Sequence, residues 1–166
     1  MPVPQHIADR YYDFNVMLAS RKAQSDAHRG ITDLEKEFGE GKVLFSSWRV
    51  RYAGICSLLR ASIHLISVDA KSCMNDELTA ELKAEWNGVK KNPDDHAIYW
   101  KFVNKERNNI LKEYHWTAYE QFYNDKRVED PEMPITGELA TLLTATRSEL
   151  KISSGEYNGR NAIDVL

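Results

Sequence analysis

Arg107 stands in the middle of an apolar helical stripe, where a charge must be paired or opened to water. Residues 94–123 supply that stripe: Trp100, Val103, Arg107, Ile110, Leu111, Tyr114 and Ala118 recur at three- and four-residue spacing. A charge buried there without a partner would be costly. Two readings are open. In one, Arg107 is structural, with its alkyl stem packed and its head in an ion pair. In the other it is a functional cation, a planar fork of donors suited to a phosphoryl or carboxyl oxygen, and the polar Asn108 follows it directly. Asp69 occupies a matching position on the apolar stripe of an earlier helix. One opposite charge on each of two apolar faces makes Asp69 the leading ion-pair partner for Arg107.

The other motifs that carry chemistry are missing. There is no dinucleotide-binding glycine fingerprint: Gly39-Glu40-Gly41 lacks the third glycine, and no Lys-Ser pair follows a glycine-rich turn. No HExxH occurs, and none of the five histidines is preceded by Glu at the Glu-x-x-His spacing of di-iron bundles. Glu113 and His115 are two residues apart, which on a helix points them to different faces. His115 and Glu120 would need ligands from elsewhere to share a metal. Nothing resembles a GxSxG elbow. The expectation is a protein without metal or cofactor. Tyr99, Trp100, Phe102, Tyr114, Trp116, Tyr119, Phe122 and Tyr123 could stack on bases, but aromatics at helical spacing more often build a core.

The elements that must position these residues are mostly helices. Residues 5–28 read as a first helix with Ile7, Tyr11, Phe14 and Leu18 on one face and Gly30 placed to stop it. A second helix is expected over residues 42–74. Its stripe is Trp48, Tyr52, Ile55, Leu59, Ser62, Ile66, Asp69 and Cys73, with Arg49, Arg51 and Arg60 on the solvated side. Asn75 or Asp76 can cap a third helix carrying Leu78, Leu82, Trp86 and Val89. Asn92-Pro93 closes it, and the helix bearing Arg107 is expected to run from Asp94 to about Asn124. Beyond Pro134 the grammar changes: Glu149-Leu150-Lys151-Ile152-Ser153 alternates polar and apolar and predicts a small β-hairpin. Residues 160–166 read as a helix too short to stand without docking.

The fold expected is therefore mainly α: an antiparallel helical bundle over residues 5–125, followed by a hairpin and short helix over 135–166, in a single domain of 166 residues. The net charge of −3 argues against a protein that attracts nucleic acid as a whole, though not against a local basic face. No apolar run reads as a membrane span, and residues 1–6 lack the pattern of a signal peptide. The two cysteines, Cys56 and Cys73, lie in apolar helical contexts and suggest buried thiols in a reducing compartment, hence a cytoplasmic protein.

The string Glu106-Arg107-Asn108-Asn109-Ile110-Leu111-Lys112-Glu113-Tyr114 resembles the signature helix of the HEPN superfamily, whose members process nucleic acids or act as toxin-like domains. That signature is an Arg, usually followed by a polar residue such as Asn, then a His after a gap of four to six residues. Arg107 and Asn108 match, but the three positions for the His hold Lys112, Glu113 and Tyr114, and His115 falls one residue beyond. The resemblance implies a helical bundle that dimerises and brings two motifs to one cleft. It further implies metal-independent RNA cleavage with His as acid/base and Arg on the phosphate. On that basis Arg107, Asn108, Lys112 and His115 are the candidate catalytic set. Lys112 is a poor base near its reference pKa of about 10.4. On a continuing helix, His115 would lie about 12 Å further along the axis than Arg107. The protein so implied is HEPN-like, of defence or toxin-antitoxin type, and binds RNA with impaired or absent cleavage. The alternative is a non-catalytic inhibitor or adaptor that uses the bundle to occupy a protein partner.

Overall fold

A computed structural model describes residues 18–73, 75–124, 141–142 and 144–166. Among them the chain is mainly helical, with one small antiparallel sheet. The elements are α1 (Ala19–Gly39), α2 (Trp48–Cys73), α3 (Asp76–Lys91), α4 (residues 98–113), β1 (Ala118–Tyr123), β2 (Arg147–Ile152) and α5 (Ala162–Val165). The part of the first predicted helix before Leu18 lies outside the described residues.

α1 and α2 form an antiparallel pair. Arg51 meets Glu37 at 2.6 Å at one end, and the Asp69 carboxylate reaches the amides of Ala19 and Ser20 at the other. Gly30 does not stop α1, which continues to Gly39 and turns away through Gly41 at φ 73°. Its role is close approach: a Cβ on Gly30 would lie 2.8 Å from Ile55 Cγ1. The absence of a side chain is what lets the two helices approach at this level.

α2 follows most of its predicted stripe, with Trp48, Tyr52, Ile55, Ser62 and Asp69 buried, but Ile66 and Cys73 are exposed. It starts at Trp48 rather than near residue 42, because Phe45 adopts a left-handed φ of 45° and Ser47 N–H closes a turn onto the Leu44 carbonyl. By length and composition α2 is also apolar enough to cross a membrane, contrary to the sequence expectation. Only 28% of its apolar window is buried, although α2 packs against α1, α3 and α4 and its Arg60 and Asp69 both bond to neighbouring elements.

α4 packs antiparallel on α2, since Asn104 Oδ1 accepts from Arg60 Nε while Tyr99 and His96 sit further along α2 beside Ile63. It is not a regular α-helix. Ile98–Val103 and Asn109–Glu113 are π-helical around an α-helical turn at Asn104–Asn108. Each π turn takes an extra residue, so the 3.6-residue phase slips. The buried positions are Phe102, Val103, Glu106 and Ile110. Of the predicted stripe, Leu111 and Tyr114 are exposed and Arg107 is displaced to the margin.

α4 also ends earlier than expected. Tyr114 takes the left-handed conformation, and residues 118–123 leave the helix to form β1. This is half of the C-terminal sheet: Ala118 pairs with Ile152 and Tyr123 with Arg147 in an antiparallel register. The predicted alternation of β2 holds, with Ser148, Leu150 and Ile152 facing inward. The first strand, however, precedes Pro134 and lies inside the stretch assigned to the bundle. Inward-facing Glu120 joins the layers, accepting through Oε1 from Leu44 N–H at 2.7 Å and Ser148 Oγ at 2.6 Å. α5 does dock: Asn161 Oδ1 caps Ile163 N–H at 2.9 Å, and Ala162, Ile163 and Val165 are buried. The core unites these residues with Leu34, Trp48, Tyr52, Ile55, Cys56, Phe102 and Leu150.

Candidate functional site

Asp69 and Arg107 do not meet. The buried Asp69 carboxylate accepts from Ala19 N–H at 3.2 Å and Ser20 N–H at 2.9 Å, so it caps the start of α1 from another helix. Burial pushes its pKa up, but the hydrogen bonds from Ser20 and Ala19 outweigh that and hold it below the usual carboxylate range. Arg107 is half-buried and donates from Nη1 to Asn108 Oδ1 at 3.0 Å. Among the described residues no carboxylate pairs with it.

The buried charge of α4 belongs to the preceding residue. Glu106 is buried, and its carboxylate accepts from Thr117 N–H at 3.1 Å and from the Thr117 hydroxyl. These bonds tie the end of α4 to the start of β1. Sequence periodicity missed Glu106 because positions 106 and 107 both fall between Val103 and Ile110 at helical spacing, and the structure buries the first.

Lys112 and His115 are exposed. Because α4 stops at Glu113 and Tyr114 turns left-handed, His115 is not carried a further two residues along a helix. Its N–H returns to the Asn109 carbonyl at 3.2 Å, folding it back on the last turn. The chain at His115 thus leaves the helical path on which its position was deduced. Among the described residues, no group of three or more His, Cys, Asp or Glu side chains is placed to hold a metal.

An apolar concavity lies elsewhere, between α2 and α3. It has a volume of about 410 Å³, in the range of sites that take apolar ligands. Ile63, Ile66 and Ala70 of α2 form one wall, and Leu82, Trp86 and Val89 of α3 the other. Trp86 and Tyr99 line it, with Trp100 packed against both. Trp86 stacks on Trp100 at 6.0 Å and meets Tyr99 edge-on at 5.8 Å, while Trp100 Nε1 donates to the Val89 carbonyl at 3.3 Å. Two local devices hold the α3 wall. Asn75 Oδ1 caps Leu78 N–H at 2.9 Å, and Thr79 Oγ1 donates to the Ala70 carbonyl at 3.3 Å. Yet no residue of α3 is buried, and Leu78 and Ile66 are 48% and 37% exposed.

The stripe of α3 was visible in the sequence. That the described part of the bundle covers it only in part, leaving Leu82, Trp86 and Val89 half-buried, was not, since periodicity gives a face but not its partner. Comparison with known proteins found no matching family model, no matching curated protein and no matching solved structure.

Proposed function

We propose that this protein is a non-catalytic interaction protein whose α2–α3 groove docks a protein partner. One observation carries the proposal: α3 has an apolar stripe at helical spacing, but none of its residues is buried. An amphipathic helix is normally held by burying that stripe. Here Ile66 on one wall and Leu82 and Trp86 on the other leave an apolar groove open to the outside, the kind of surface that marks an interaction site. A cytoplasmic setting belongs to the same proposal and rests on two free cysteines. The test is co-purification from native cells with Leu82→Glu and Trp86→Ala. Both side chains are half-buried, so each change should cost the fold about 1–3 kcal/mol, with folding checked by circular dichroism, while a specific partner is lost. Retention of every wild-type partner by both variants would overturn the proposal.

A second reading, a HEPN-like RNA-binding protein with metal-independent cleavage and a homodimeric cleft, has its own support. Arg107 and Asn108 are bonded to each other and partly open to solvent, and His115 folds back on the turn that follows them. An arginine fork suits a phosphodiester oxygen, and an exposed imidazole can serve as acid or base. Cleavage of a mixed RNA pool in chelator, compared for wild type, Arg107→Ala, His115→Ala and Lys112→His, decides it. Cutting by the wild type that is lost in His115→Ala supports this reading. No cutting and no RNA binding by any of the four ends it.

A further inference from the structure

The groove has a charged rim as well as an apolar floor, and the rim narrows what can fill it. Resting on the docking reading above, we infer that the occupant is an acidic amphipathic helix, about three turns long, carried by a partner protein. The walls run from Arg60 to Lys71 on α2 and from Thr79 to Val89 on α3. At 1.5 Å per residue each wall is about 15 Å long, the length of roughly three helical turns. A helix laid there would place its apolar face on Ile66, Leu82 and Trp86, in the helix-in-groove mode of recognition.

The charges select the flanks of that helix. Arg60, Lys71 and Lys83 stand on the rim with one carboxylate, Glu85, and Lys90 lies 5.9 Å above the Trp86 ring. Lys71 and Lys83 enter no ion pair among the described residues. This positive surplus runs against a chain whose net charge is −3. Complementary charge around an apolar contact chiefly sets specificity and encounter rate, and like charges are excluded. The same pattern disfavours a second copy as occupant, because two-fold pairing of groove on groove sets one cationic rim against another.

The test uses two synthetic helical peptides of about 14 residues. They share one Leu/Trp face and differ only in Glu or Lys on its flanks. Each is titrated by fluorescence anisotropy into the full chain at low and high salt. The Glu-flanked peptide should bind about tenfold more tightly, and screening should shrink that preference. The preference should vanish in the Lys71→Glu/Lys83→Glu variant, whose fold is checked by circular dichroism. Equal binding of both peptides, lost with Leu82→Glu, overturns the acidic occupant and leaves the docking reading standing. Binding of neither overturns the inference, and partner loss in native cells then decides the docking reading separately. A dimer in sedimentation that Leu82→Glu dissociates would put a second copy in the groove and overturn the inference as well.

Discussion

Replacing Asp69 should destabilise the protein through α1, not through Arg107. The carboxylate accepts two amide bonds at the first turn of α1, at 3.2 and 2.9 Å. Loss of an N-capping acceptor costs about 0.5–2 kcal/mol, and bonds to a charged acceptor are worth about 1.5–3 kcal/mol. Ala19 is exposed and Ser20 half-buried, so water can replace part of what is lost. Asp69→Ala should therefore cost about 1.5–2.5 kcal/mol. Asp69→Asn, which keeps an acceptor but not the charge, should cost roughly half as much. The pH dependence has a definite sign. Asp69 is pushed up by burial and, more strongly, held down by the Ser20 and Ala19 hydrogen bonds, so its folded pKa lies below its unfolded value. Its contribution is complete above the unfolded value of about 3.9 and is lost as pH falls through the folded value. Urea unfolding followed by tryptophan fluorescence, at neutral pH and in steps below pH 4, measures both effects. Because Asp69 and Arg107 are not partners, Asp69→Ala and Arg107→Ala should add within about 0.5 kcal/mol. A coupling above about 1 kcal/mol would restore the ion pair and refute this placement of both residues.

Two further outcomes come from the packing. Gly30→Ala gains about 1 kcal/mol in helix propensity but sets a Cβ 2.8 Å from Ile55 Cγ1 and 3.2 Å from its Cδ1, an overpacking that costs about 1–3 kcal/mol. The net should be destabilising in urea, and combination with Ile55→Ala should show favourable coupling. Of the two thiols, exposed Cys73 should react promptly with a chromogenic disulfide. Cys56 should react only on unfolding, since burial and then the neighbouring Glu106 push its thiol pKa up. Prompt reaction of both thiols would contradict the buried position of Cys56.

The sequence carried the fold where the period is regular. The buried part of the α2 stripe, the Asn75 cap, the alternation of β2 and the docking of α5 each arise from local pattern and match the structure. It misled where the pattern admits two readings. In α4 the structure buries Glu106, three residues after Val103, and leaves Arg107, four after it, at the margin; both spacings are helical, so the pattern alone did not choose between them, and no residue type announces the π turns on either side. Residues 118–123 are aromatic enough for either a helical stripe or a strand, and the antiparallel pairing with β2 settles them as β1. Gly30 read as a stop because close approach to Ile55 is a tertiary fact. Cys73, expected to be buried, is exposed near the end of α2, where its thiol turns back to the Asp69 carbonyl at 2.8 Å. The groove was half legible: its residues lie on the predicted stripes, but its openness depends on how little of α3 the rest of the bundle covers.

Photo-crosslinking in native cells tests the docking reading most directly. A photoreactive amino acid at Ser67, which lines the groove, is compared with one at Asp33, exposed on α1. Docking in the groove predicts a discrete crosslinked protein from position 67 that is absent from position 33 and disappears with Leu82→Glu. The same products from both positions, or products from position 67 that survive Leu82→Glu, would contradict it.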